Sequence, residues 1–350
     1  MSRPKQEKDK NELDPISKKE QILATTIVAI EKAFGTGSIM SLDDESMVSK
    51  CDAIPTGSIS LDKATGIGGV PRGRIIEIYG QESSAKSSLC LHIVANAQKN
   101  GGIAAYIDVE HALDPEYSRK LGVDISKLRI SQPDHAEQAL NIMEHLIRSG
   151  VIDIVVLDSV AALVPEAELD GTMDEQQIGL QARLMSKALR KLTGLVAETN
   201  TCLIFVNQTR VNIGQFFGDP TTTPGGKALK YHASMRIELR RTGWIKEKDT
   251  VIGSTIRAKV VKNKLAPPYR VCEFPIIHGQ GISEIEELID IGLTYGIIKK
   301  AGPYFKFDEI QLGLGKPNTK ELLYTNNDLY QTIKAKVINV MALGTKTIGE

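Results

Sequence analysis

The stretch IIEIYGQESSAKSSLCLHIVANA, residues 75–97, decides the fold class. Its first five residues are a short apolar, β-branched run, which reads as a buried strand; the residues after Lys86 carry apolar groups at helical spacing. Between them lies GQESSAKS, Gly80–Ser87, a polar turn linking strand to helix. Such a turn can wrap backbone N–H groups around an anion at the helix N-terminus while Lys86 reaches its terminal phosphates. The usual phosphate loop is GxxxxGK[ST], and this one has Ala85 before the lysine. At negative φ the extra methyl is tolerated; at positive φ it strains the loop by about 1–2 kcal/mol. Alone, the motif also fits a helix start with capping serines and a surface lysine.

Working outward, IAAYIDVE (103–110), VIDIVVLDS (151–159) and TCLIFVNQ (201–208) are further strands, separated by DHAEQALNIMEHLIRSG (134–150) and GLQARLMSKALRKLTGLVAETN (179–200), which read as helices. Strands alternating with helices of this length give right-handed crossovers and a mostly parallel sheet covered on both faces. The runs SMRIELRR (234–241), TIRAKVVKNK (255–264) and YRVCEFPII (269–277) lack intervening helices, so they are expected to extend the sheet in antiparallel fashion. The core should end near residue 282. Beyond it, ISEIEELIDIGLTYGIIKKAG (282–302) reads as helix, turn and second helix, YFKFDEIQLG (304–313) as a hairpin, and LYQTIKAKVINVMAL (329–343) as a terminal helix. Near the start, QILATTIVAIEKAFGTG (21–37) places Leu23, Ile27, Ile30 and Phe34 on one helix face, able to pack on its own domain or on a neighbouring copy. The predicted division is 1–50, 51–282 and 283–350.

Three strand ends give the loop chemical company. Asp158 closes an apolar strand where a carboxylate can meet Mg²⁺ beside the Ser87 hydroxyl. Glu110 follows the strand AAYID, at the edge where open α/β sheets bind ligands, and can orient or deprotonate water. Asp108, on the same strand face, competes with it or serves in structural pairing. Gln208 can hydrogen-bond a γ-phosphate or merely cap a loop.

Composition narrows the class. The 350 residues carry 43 Lys+Arg against 43 Asp+Glu, a formal net charge of zero, with 41% hydrophobic residues, so the chain folds and any nucleic-acid binding comes from local geometry or repeated subunits. Cys51, Cys90, Cys202 and Cys272 form no CxxC, which argues against a zinc knuckle or disulfide scaffold. The charged start has no signal-peptide core and no 18-residue apolar run occurs, so a cytoplasmic protein without membrane association is expected.

With GQESSAKSS, YIDVEHALDP, VVLDSVAAL and FVNQTRVNIGQFFGDPTTTPGGKALKYHAS in this order, the chain resembles the bacterial RecA recombinases. The likeness runs from IEKAFGTGSIM and TGSISLD through VVKNKLAPP to the C-terminal module. It implies a RecA-type α/β ATPase core with a mostly parallel sheet, an N-terminal oligomerisation helix and a small α+β C-terminal DNA-binding domain. The implied activity is ATP- and Mg²⁺-dependent pairing and strand exchange, by helical filaments on single-stranded DNA that admit a duplex. The resemblance also implies promotion of self-cleavage by a damage-response repressor.

By that resemblance Gly80, Glu82, Ser83, Ser84, Ala85, Lys86, Ser87 and Ser88 hold the nucleotide, Ser87 and Asp158 the metal, and Asp114 and Tyr117 the adenine. Glu110 is the implied catalytic glutamate, Gln208 the γ-phosphate sensor, and Lys262 and Lys264 reach the adjacent subunit's nucleotide. EAELDGTMDEQQIG (166–179), acidic and expected to be flexible, and TRVNIGQFFGDPTTTPGG (209–226) match the two DNA loops. The second supplies Arg210, Asn212, Phe216, Phe217, Gly225 and Gly226; Arg183 and Arg190 share a face of the helix after the first. Departures from the family pattern are Ala85, Gln81 for a common Pro, Pro224 for the usual Thr, and MALGTKTIGE in place of an acidic tail, the last implying less Mg²⁺-dependent restraint. Two other readings fit part of the pattern: a DNA-coating module that scarcely hydrolyses ATP, and a hexameric helicase-like motor. The C-terminal module and the GG-terminated loop count against the motor.

Overall fold

The strand beginning at Ile75 is the central one of a nine-stranded sheet, and its burial along the whole length follows from that position. The computed structural model describes residues 15–39, 52–172, 179–211 and 221–343. They fall into two units, 1–50 and 51–350. In the first, α1 (Pro15–Phe34) is a single helix on which Leu23 and Phe34 are exposed.

The second unit is built on a nine-stranded sheet. In chain order its strands are β1 (Ile75–Gly80), β2 (Ala104–Asp108), β3 (Arg129–Ser131), β4 (Ile154–Asp158), β5 (Cys202–Gln208), β6 (Met235–Glu247), β7 (Thr250–Asn263), β8 (Val271–Ile277) and β9 (Gly281–Ile282). Their spatial order is β9-β8-β7-β6-β1-β5-β4-β2-β3. The run from β6 to β3 is parallel throughout, and β7, β8 and β9 continue it antiparallel. The α/β class with a mostly parallel sheet is as expected. The pairing of Met235–Glu247 is not: it runs parallel to β1, because the chain after β5 returns through α8 (Ala228–His232) to the amino end of the sheet.

The sheet is buried on both faces, so its central strands are near-continuous apolar runs, interrupted in β1 by the buried Glu77. On one face α3 (Lys86–Lys99) buries Leu89, Cys90, Ile93, Val94 and Ala97 against Ile76, Ile78, Val156 and Ile204. On the other, α5 (Ala136–Arg148) and α7 (Leu180–Thr199) pack Leu140, Met143, Ile147, Met185, Leu189 and Val196 against Ile75, Val155, Leu203 and Phe205. The buried positions of α5 repeat at three and four residues, as one face of a helix must. Short helices α2 (Ile59–Thr65), α4 (Pro115–Lys120) and α6 (Glu166–Asp170) fill the connections. The first part of the segment expected to be flexible is therefore helical.

After the sheet, α9 (Glu284–Thr294), the antiparallel strands β10 (Ile298–Ala301), β11 (Tyr304–Phe307) and β12 (Ile310–Leu314), α10 (Gly315–Thr325) and α11 (Asn327–Leu343) enclose a third apolar cluster around Leu288, Phe305, Ile333 and Val337. The hairpin and terminal helix are as expected, but Ile298–Ala301 is a strand rather than a second helix. Gly296, at φ +68°, stops the helix, and four residues are too few to show a period. Glu287 of α9 caps α2, accepting from Ser58 Oγ at 2.9 Å, Ile59 N at 3.0 Å and Ser60 N at 2.7 Å.

Candidate functional site

Parallel strands end together, and here the register aligns every carboxyl end that matters. Gly80 pairs with Gln208, Leu157 with Phe205 and Asp108 with Asp158. The loop after β1, the carboxylate ending β4 and the residues beyond β2 and β5 therefore converge at one edge. Glu82, Ser83, Ser84, Ala85, Lys86, Ser87, Ser88, Glu110, Asp158 and Gln208 line a cleft of about 240 Å³ there. A Cβ at Gly80 would lie 2.1 Å from the Leu239 carbonyl oxygen, so glycine is required where the loop leaves the sheet.

The loop closes on itself. Ser84 Oγ and Lys86 Nζ both donate to the Gln81 carbonyl, at 2.7 and 2.9 Å. Ala85 is the N-cap of α3 and has no side chain to satisfy the first-turn amides, which leaves donors for an anion. Its φ of +65° and ψ of +30° put it in the left-handed region, the strained alternative of the two expected from sequence. Its methyl packs against the apolar cluster under α3. Burial pulls the Lys86 ammonium below its ordinary pKa, opposed by the charges of Asp158 and Glu110.

Asp158 is 7% exposed, and burial raises its carboxyl pKa. Two hydroxyls limit the rise: Ser87 Oγ and Tyr106 Oη each donate to Oδ2 at 2.7 Å. Among the described residues no three His, Cys, Asp or Glu side chains cluster as a metal site. A carboxylate touching a hydroxyl at a phosphate loop nevertheless suits Mg²⁺, which takes few protein ligands and completes its shell with water and phosphate oxygens.

Glu110 Oε1 accepts from Ser159 Oγ and, at 3.3 Å, from Gln208 Nε2. The competing Asp108 is spoken for: it accepts from the Ala112 and Leu113 amides at 3.2 Å and from Gln132 Nε2 at 2.9 Å. Asp114 caps α4 through the Glu116 and Tyr117 amides, and Tyr117 Oη meets Ser88 Oγ at 2.8 Å beside the loop.

Lys262 and Lys264 do not join this cleft. In register, Gly80 meets Leu239 and Leu239 meets Ala258, whereas Lys262 meets Arg236 and Arg236 meets Glu77, three residues toward the opposite end of the sheet. That is about 10 Å along the strands. Lys262 Nζ donates to the Lys230 and Tyr231 carbonyls at 2.8 and 2.9 Å, and burial followed by Lys264 and Arg236 lowers its pKa.

Arg183 and Arg190 are exposed on α7, and exposed Arg210 begins a two-residue ribbon, Arg210–Val211 with Thr221–Thr222. Asn212, Phe216 and Phe217 lie outside the described residues. Gly225 and Gly226, at φ +82° and +77°, pack closely: a Cβ on the first would meet Val160 Cγ1 at 2.7 Å, on the second Ala182 Cβ at 2.8 Å.

Four contributors escaped sequence reasoning: Tyr106, Ser159, Asn207, which donates to the Pro224 carbonyl at 3.1 Å, and Gln181, which accepts the Gly225 amide at 3.2 Å. Ser159 adjoins Asp158 and could have been suspected from position. A buried phenol and two amides carry no motif, since their partners are set by tertiary approach. Among the described residues no helix is long and apolar enough to cross a membrane.

Comparison with known proteins points to one family. Residues 21–283 match the RecA N-terminal domain and residues 286–342 the RecA C-terminal domain. The chain is 54% identical to Protein RecA of Rhodospirillum centenum over 91% of its length and 89% of that protein's. It is 53% identical to Protein RecA of Chlorobaculum parvum over 96% of both chains, and 54% identical to Protein RecA 2 of Myxococcus xanthus over 93% and 91%. With a phosphate loop, a strand-end carboxylate and a glutamate bonded to a glutamine on one sheet edge, and matches spanning core and C-terminal module alike, the chain belongs to the RecA family.

Proposed function

We propose that the chain is an ATP-dependent recombinase that coats single-stranded DNA as a helical filament, admits a duplex and exchanges strands in DNA repair. The observation carrying this reading is the bond from Gln208 to Glu110, because it joins the residue best placed to activate water to the residue from which the second polar segment departs. The loop and α3 amides and Lys86 take the triphosphate, with Tyr117 and Asp114 on the base side. Mg²⁺, held by Ser87 and by Asp158 directly or through water, supplies charge neutralisation on the phosphates.

Glu110 orients water and accepts its proton, while Gln208 exchanges Glu110 for a phosphate oxygen and reports its presence. Lys262 and Lys264, at the far end of the sheet from their own cleft, act on a neighbouring subunit's nucleotide, so hydrolysis requires assembly. DNA backbone is held by Arg183, Arg190 and Arg210, with Asn212, Phe216 and Phe217 toward the bases and Gly225–Gly226 as the hinge. Repetition along a filament compensates for the neutral chain. Residues 283–350, with exposed Lys299 and Lys300, add a DNA-binding module. Cytoplasmic location and promotion of repressor self-cleavage complete the proposal, supported by family membership alone.

Phosphate release with and without a single-stranded oligonucleotide tests the reading. DNA should stimulate release, and Glu110→Gln should reduce it by about 100-fold or more. Release that ignores both DNA and Glu110 contradicts the proposal.

A further inference from the structure

Two side-chain amides, one buried and one half-buried, hold the return end of the second polar segment. Asn207, fully buried, donates through Nδ2 to the Pro224 carbonyl and to Glu77 Oε1, both at 3.1 Å, and its Oδ1 accepts the Gln208 amide at 2.9 Å. Glu77 is itself fully buried and pairs with Arg236, whose guanidinium lies 4.5 Å from the centre of the Tyr79 ring. The Asn207 anchor is thus fixed from the sheet side. From the helix side, Gln181 in the first turn of α7 accepts the Gly225 amide on Oε1 at 3.2 Å. Its Nε2 donates to the Val160 and Leu163 carbonyls, both at 2.8 Å.

These contacts close a ring. Val160 follows Ser159, Ser159 donates to Glu110, Glu110 accepts from Gln208, and Gln208 follows Asn207. Strand alternation sends the side chains of residues 207 and 208 to opposite faces. A shift of the end of β5 that moves Gln208 in the cleft therefore also moves the donor holding Pro224. The ring has little slack, since Gly225 has no room for even a Cβ beside Val160. Pro224, with its fixed φ, passes displacement on rather than absorbing it.

We infer that Gln181 and Asn207 are positioning residues, an amide clamp that ties Pro224–Gly225 to the Glu110–Gln208 pair and so sets how strongly DNA changes hydrolysis. This rests on the proposed DNA-dependent ATPase reading. One arm ends on the residue preceding Gln208, and the other on the carbonyl of Val160, which follows the Ser159 that donates to Glu110.

The test uses the full chain, Gln181→Met, Gln181→Glu and Asn207→Ser, with phosphate release measured with and without an oligo-dT strand, well below the thermal midpoint. Coupling between sites amounts to about 5–150-fold, so Gln181→Met and Asn207→Ser should cut the stimulation ratio at least about fivefold. Gln181→Glu keeps the acceptor for Gly225 and should retain more stimulation than Gln181→Met. A purely structural role lowers the thermal midpoint and leaves the ratio intact. Should Gln181→Met not fold, Asn207→Ser tests the other arm. A stimulated wild type with both variants equally stimulated overturns the clamp. An unstimulated wild type overturns the DNA-dependent reading, and the clamp with it.

Discussion

Tyr106→Phe removes one oxygen from behind Asp158, a residue lining the cleft, without changing the shape of a residue that is 1% exposed. Its hydroxyl donates to Asp158 Oδ2, so the loss falls on a buried carboxylate left with Ser87 as its hydroxyl donor. A hydrogen bond to a charged group is worth about 1.5–3 kcal/mol, and one to a neutral group about 0.5–1.5 kcal/mol. Burial raises the Asp158 pKa, so the folded state holds this proton more tightly than the unfolded chain. Stability from this group therefore falls as pH rises out of the carboxylate range, and the Tyr106 hydroxyl offsets part of that fall.

Removing the hydroxyl raises the pKa further and makes the mutational cost grow with pH. The cost should be about 0.5–1.5 kcal/mol in acid and about 1.5–3 kcal/mol at pH 8. Urea titration by circular dichroism at both pH values reads it. With m near 3 kcal/mol/M, the upper figure moves the pH 8 midpoint by about 0.5–1 M. A midpoint unmoved at pH 8, or shifted equally at both pH values, refutes the assignment of Tyr106 as donor to an ionised Asp158. The Mg²⁺ concentration giving half-maximal phosphate release should also rise in the variant.

Lys86→Ala and the double variant Lys262→Ala/Lys264→Ala should each be inactive alone. Mixed in equal amounts they should recover about a quarter of wild-type phosphate release, because random head-to-tail assembly leaves that share of sites with both halves intact. No recovery on mixing contradicts action on the neighbour's nucleotide. Ala85→Gly relieves about 1–2 kcal/mol of left-handed strain and gives back about 0.4–1 kcal/mol through a freer unfolded chain. A net rise of about 1–3 °C in thermal midpoint is expected, and a fall would show that the Ala85 methyl contributes more by packing than it costs in backbone strain.

What could be read in advance was whatever local pattern decides. The run through Ile78 into Gly80 and on through Leu89 fixes strand, loop and helix, since a short β-branched apolar run gives way across a polar turn to apolar groups at helical spacing. Asp158 was legible because an apolar strand ends on it. The direction of Met235–Glu247 was not, since pairing depends on where the chain re-enters the sheet, and nothing in SMRIELRR encodes that. Ile298–Ala301 was misread because alternation and helical spacing agree over so short a run. Tyr106, Asn207 and Gln181 were hidden for a further reason. Their partners lie 52, 17 and 44 positions away, and a phenol or amide announces its hydrogen bond only when the fold brings the acceptor.

Fluorescence anisotropy of a labelled single-stranded oligonucleotide, titrated with the full chain and Mg²⁺ in the presence and absence of a non-hydrolysable ATP analogue, tests the central claim most directly. If the cleft around Lys86 governs the segment beyond Gln208, the analogue should tighten binding by about tenfold or more, within the usual range of coupling between sites. Equal affinity in both conditions, with analogue binding verified independently, contradicts the account.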